Sequence, residues 1–219
     1  MKKEDLKLYL VTDRGLAGER AIEDIVRESV KGGVTMVQLR EKNIATRDFI
    51  TLALKLKEIL KPSGVPLVIN DRVDVAMAAD ADGVHIGQSD MPYAMARELL
   101  GTSKIIGLSV ENFDQIEEAN KLDVDYIGIS PVFATPTKTD TAEPFGLEGL
   151  KKAVRMSVHP TVAIGGMNEN TAADVMACGT DGIAVVSAIV CAPDPAEASR
   201  RLRHLTDDPI KTAPTFYQK

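Results

Sequence analysis

A chain of 219 residues with 44% hydrophobic content is long enough to bury one sizeable core. Its 26 basic and 32 acidic side chains leave a net charge of −6, spread without long runs. That argues against a nucleic-acid or membrane-surface protein, so an anionic ligand would need a local cluster of cations.

The first residues, Met1-Lys-Lys-Glu-Asp5, run into a strand-like segment without a signal-peptide core, and no apolar stretch is long enough to span a bilayer. Cys178 and Cys191 have neither disulfide-framework nor metal-ligand spacing. A cytoplasmic protein with reduced thiols is expected.

From there a unit repeats: an apolar run, a polar or glycine-rich junction, an amphipathic stretch, then a glycine or proline. Strands are predicted at Leu8 to Thr12, Val34 to Leu39, Pro66 to Asn70, Gly83 to Ile86, Lys104 to Leu108, Asp125 to Ile129, Thr161 to Ile164 and Gly182 to Val185. Helices are predicted at residues 21–31, 46–61, 72–79, 92–100, 112–121, 146–157, 168–177 and 195–205, with Gly101 and Gly179 as C-caps. Alternation of this kind implies parallel pairing through right-handed crossovers, and eight units in this length fit a closed (β/α)8 barrel, the TIM-barrel architecture. An open doubly wound sheet is the alternative. One barrel domain over 1–206 is expected, with 207–219 a partly disordered extension. Met77, Met95 and Met176 sit at apolar helical positions and are assigned to the core.

Chemistry in such a barrel sits in the loops after the strands. In Val34 to Lys42 the apolar run gives way to Gln38, Arg40 and Lys42 at every second position, a spacing that sends all three to one side of an extended chain. Asn70-Asp71-Arg72 follows the third strand, His85, Gln88 and Asp90 lie on and after the fourth, and Ser109 follows the fifth. Thr135-Pro136-Thr137-Lys138 follows the sixth, Gly165-Gly166 the seventh and Val186-Ser187 the eighth. Arg40, Lys42 and Lys138 would neutralise a phosphate or diphosphate, and Asp71 with Asp90 would hold a hard divalent cation by oxygen. The glycines and helix-start amides of the last two loops suit a monophosphate.

Each feature has a duller reading. Arg40-Glu41-Lys42 alone is more often a solvated turn, Asn70-Asp71 a helix cap, His85 a hydrogen-bonded structural residue, and Arg72 with Asp74 support for a first helical turn. Their coincidence on one rim favours the site.

The phrases Leu8-Tyr-Leu-Val-Thr-Asp-Arg14, Val37-Gln-Leu-Arg-Glu-Lys42, Ile69-Asn-Asp-Arg72, Gly83-Val-His-Ile-Gly-Gln-Ser-Asp90, Pro131-Val-Phe-Ala-Thr-Pro-Thr-Lys138, Ala163-Ile-Gly-Gly166 and Val185-Val-Ser-Ala-Ile189 resemble the thiamine phosphate synthase family. The resemblance implies a transferase that condenses 4-amino-2-methyl-5-(diphosphooxymethyl)pyrimidine with 4-methyl-5-(2-phosphoethyl)thiazole, releasing pyrophosphate. It places the pyrimidine diphosphate on Gln38, Leu39, Arg40, Glu41, Lys42, Asn70, Ser109 and Lys138, with Mg²⁺ on Asp71 and Asp90. Arg40, Lys42, Lys138 and Ser109 are the expected catalytic residues. The thiazole phosphate falls on Thr135, Pro136, Thr137, Gly166, Val186 and Ser187. Departures from the family pattern are Ser130, Asp80-Ala81-Asp82 and Glu111-Asn112. Partners are then small-molecule substrates, with no nucleic acid and no membrane; a homo-oligomer is left open. A thiazole tautomerase-like relative or a non-catalytic sensor on the same barrel are the rival readings, and neither needs the metal pair together with three cations.

Overall fold

The computed structural model describes residues 1–134 and 143–207. A 3-10 turn at Lys3–Leu6 leads into β1 (Leu8–Val11), followed by α1 (Arg14–Ala17), α2 (Ile22–Lys31), β2 (Met36–Leu39), α3 (Thr46–Leu60), β3 (Leu67–Asn70) and α4 (Val73–Ala78). Then come β4 (Gly83–Ile86), α5 (Tyr93–Leu100), β5 (Ile105–Val110), α6 (Phe113–Ala119), β6 (Tyr126–Ile129) and α7 (Gly146–Met156). The last elements are β7 (Thr161–Ile164), α8 (Ala172–Ala177), β8 (Gly182–Val185), α9 (Ser187–Val190) and α10 (Pro195–Asp207). Each strand pairs in parallel with the next, and β8 pairs with β1 through Leu8↔Ile183, Tyr9↔Ala184 and Leu10↔Val185, so the sheet closes into a barrel. Closure removes every sheet edge and rules out the open alternative.

The strands read as continuous apolar runs because both faces are buried. Leu8, Leu10, Val37 and Leu39 face the helical layer in the larger core cluster. Their alternates Tyr9, Val11 and Met36 fill the barrel interior with Leu6, Val68, Ile105, Tyr126, Val162 and Ala184. This inner layer closes the end at which the strands begin and leaves the other end open.

The expected strands and helices are present, with ends shifted by a few residues, and Gly101 (φ +73°) caps α5 as anticipated. The four-residue helices α1 and α9 are additions; they are too short to show a period in sequence. The assignment of the methionines needs correction: Met176 is buried, but Met77 and Met95 are 48% and 54% exposed. In α4 the buried face is taken by Val73, Val75 and Ala76, and in α5 Ala96 is the buried residue, so each methionine lies on the outer side. The barrel's last helix ends at Asp207; the extension expected beyond it lies outside the described residues.

Candidate active site

The strands open at their C-terminal ends into a cavity of about 1040 Å³ lined by residues of all eight strand–loop units. Its floor is a chain of hydrogen bonds across the barrel. Gln38 Nε2 donates to the Tyr9 hydroxyl (2.8 Å), which meets the Tyr126 hydroxyl (2.8 Å). Tyr126 reaches His85 Nδ1 (3.0 Å), and His85 Nε2 reaches Ser109 Oγ (2.8 Å). Two tyrosine hydroxyls fit in the interior because each has polar partners; burial pushes both phenols above their ordinary range. Room for them comes from β5. A Cβ on Gly107 would lie 2.1 Å from Tyr126 Cζ, so only glycine fits opposite that ring.

The rim above carries charge. Arg40 and Lys42 leave β2 on the cavity side, as their alternate spacing requires. Arg40 is held by Asp13 (Nη1 to Oδ2, 2.6 Å), and Lys42 by Asp71 (Nζ to Oδ2, 2.5 Å). Leu39 and Glu41 point the other way and need correction as side-chain contacts: Leu39 is packed in the outer core, and Glu41 is buried under a bidentate bond from Arg14. Asn70, Asp71, Asp90 and Ser109 all line the cavity.

Asp71 is one of two non-glycine residues with positive φ (+60°) among those described; its amide donates to the His85 carbonyl (2.8 Å), which holds it in that sparsely populated conformation. Asp90 accepts from the Gly87 amide (2.7 Å). Burial pushes the Asp90 carboxyl up, and the neighbouring Asp71 carboxylate adds to the effect. Two carboxylates this close, with the Lys42 ammonium bonded to Asp71 beside them, offer oxygen ligands that suit a hard cation such as Mg²⁺. Among the described residues no group of three or more His, Cys, Asp or Glu gathers, so such an ion would take its remaining ligands from water and phosphate.

Across the mouth, Gly165 (φ +101°) and Gly166 (φ +75°) make a turn left-handed at both residues, and the Gly166 carbonyl is tied by Asn168 Nδ2 and Thr171 Oγ1, each at 3.0 Å. Val186 and Ser187 form the corner where α9 begins. Gly166, Val186 and Ser187 line the cavity; Thr135, Pro136, Thr137 and Lys138 lie outside the described residues.

The family model for thiamine monophosphate synthase matches residues 8–189. The chain belongs to this family. It is 54% identical over 207 residues to the thiamine-phosphate synthase of Albidiferax ferrireducens, covering 94% of each chain. It is 55% identical over 198 residues to that of Vibrio campbellii, covering 90% of this chain and 96% of the relative. The solved thiamine phosphate pyrophosphorylase of Pyrococcus furiosus superposes with a TM-score of 0.87 at 40% identity, covering 95% and 98%.

Among the family departures, Asp80 sits at φ +48°, where glycine is at home, and is paired with Lys57 (2.7 Å) and Lys104 (2.6 Å). Asn112 caps α6 by accepting from the Gln115 amide. Sequence reasoning assigned no role to Tyr9, Tyr126 or the loop after β1. The available signal for the tyrosines was their inward register in β1 and β6, where a buried hydroxyl demands partners.

Proposed function

We propose that this synthase makes thiamine phosphate by letting diphosphate depart from the pyrimidine, after which the thiazole nitrogen moves in. The observation that carries the reading is the convergence of Arg40, Lys42, Asp71 and Asp90 on one rim, with Gly166, Val186 and Ser187 lining the same cavity. The pyrimidine ring lies over the floor, where Gln38, Asn70 and Ser109 offer polar partners to its amino group and ring nitrogens. Arg40 and Lys42, with Lys138, take the diphosphate oxygens; Lys42 is then shared between Asp71 and the ligand.

As the C–O bond breaks, its electron pair stays with the diphosphate oxygen, and Arg40 and Lys42 stabilise the added charge. Mg²⁺ on Asp71 and Asp90 would supply further positive charge to the same oxygens. The aminopyrimidine delocalises the positive charge left on the methylene carbon. The thiazole lone pair then forms the new C–N bond, so neither a protein nucleophile nor a general base is needed. The thiazole phosphate rests against Gly166, Val186 and Ser187, which holds the nitrogen in line, and the family resemblance assigns Thr135 to Thr137 to the same ligand. Pyrophosphate release measured with both substrates and Mg²⁺ tests this reading; release that does not depend on the thiazole phosphate, or none at all, would refute it.

A further inference from the structure

The segment between β1 and α2 touches both anion-binding arms of the site. Asp13 binds Arg40 Nη1 at 2.6 Å and, through its other oxygen, accepts from the Leu16 amide at 3.1 Å to cap α1. Arg14 clamps Glu41 with bonds of 2.7 and 3.0 Å, fixing the backbone between Arg40 and Lys42. Thr12 Oγ1 accepts from the Arg40 amide at 3.0 Å. At the segment's other end Arg20 donates to the carbonyls of Val190 and, at 2.6 Å, Ala192, just beyond the corner formed by Val186 and Ser187. Leu16 lines the cavity between these attachments, and its carbonyl accepts from Cys191 Sγ at 3.8 Å.

We propose that Asp13 to Arg20 is a positioning strut: Asp13 and Arg14 set the β2 arm that grips the diphosphate, and Arg20 sets the β8 corner that receives the thiazole phosphate. This rests on the reading of Arg40 as a diphosphate ligand. A free arginine side chain loses rotamer freedom when it binds, and a guanidinium held in place by a carboxylate has lost it already. Arg20 acts through the backbone carbonyls of Val190 and Ala192, beyond Ser187 in the chain, so it touches neither substrate.

Two variants and one control test it. Asp13→Asn keeps the helix cap, because Asn is as good a cap as Asp, and removes the charge-assisted bond to Arg40. The sign discriminates: an anion beside Arg40 opposes anion binding, so a mere electrostatic bystander would tighten pyrophosphate binding when removed, whereas a positioning group would weaken it. Titration calorimetry with pyrophosphate and Mg²⁺ is expected to show binding weakened about tenfold, the scale of one charge-assisted hydrogen bond, with KM for the pyrimidine diphosphate rising in parallel. Equal or tighter binding overturns the proposal. Arg20→Met is expected to raise KM for the thiazole phosphate about tenfold on the same scale and to leave pyrophosphate affinity at the wild-type value; an unchanged thiazole KM overturns the second arm, and this variant tests the strut even if Asp13→Asn does not fold. Arg40→Ala separates the two levels. If it binds pyrophosphate like the wild type, the diphosphate reading fails and the strut with it; if it binds weakly while Asp13→Asn binds normally, the strut alone fails.

Discussion

Replacing Tyr126 by Phe removes one oxygen atom from the middle of the floor and leaves the ring in place. The hydroxyl contacts the Tyr9 hydroxyl at 2.8 Å and His85 Nδ1 at 3.0 Å, and both tyrosines are almost completely buried. Tyr9 keeps its bond from Gln38, but His85 Nδ1 loses the partner it has on this side. The stacking of His85 on the ring, with centroids 5.5 Å apart, survives the change. A hydrogen bond contributes about 0.5–1.5 kcal/mol net, and the change removes two, which places the loss at about 2 kcal/mol. For a protein of this size that lowers Tm by about 4–8 °C. Thermal unfolding followed by circular dichroism gives the number, and ¹⁵N spectra of His85 report whether its ring proton moves. A fall in Tm below about 1 °C together with an unchanged His85 spectrum would refute the idea that the floor is one connected chain.

Arg40→Ala is expected to lower kcat by at least about 10²-fold, the typical cost of losing one preorganised charge-stabilising group; turnover near wild type in a pyrophosphate-release assay would contradict its role. Asp71→Ala should raise the Mg²⁺ concentration needed for half-maximal rate, and an identical metal titration curve would count against the ligand assignment. Lys104 and Lys57 hold the Asp80 carboxyl down at about 2, against 3.8 for a free aspartate. Asp80 therefore stabilises the fold above pH 3.8, and its contribution disappears as pH falls through about 2. Asp80→Asn, whose side chain tolerates the positive φ, should show a lower Tm than wild type at neutral pH, with a gap that narrows as pH falls from 3.8 through about 2; a gap that does not narrow would show that the carboxylate charge is not its source.

The barrel was legible because strands buried on both faces leave short β-branched runs, and the rim because Gln38, Arg40 and Lys42 break that pattern at alternate positions. Asp71 and Asp90 were found by the same logic, at the ends of adjacent strands. The floor was not, since Tyr9 and Tyr126 look like ordinary strand aromatics until the register puts both inside. The β1 loop was hidden for a different reason: Asp13 meets Arg40 across 27 positions and Arg20 meets Ala192 across 172. Leu39 and Glu41 were included as part of a continuous phrase, although strand alternation turns them away from the cavity.

The seam between β1 and β8 joins Leu8 to Ile183 and Leu10 to Val185. A nascent chain leaving the ribosome thus holds its first strand unpaired on one side until residue 185 has been made, and contacts between residues so distant in sequence form slowly. The two walls of the cavity come from segments far apart in sequence, Arg40 in one and Ser187 in the other. The cavity is complete only once β8 has joined β1, and any delay in closing the ring leaves an apolar strand open to chaperones or to a neighbouring copy.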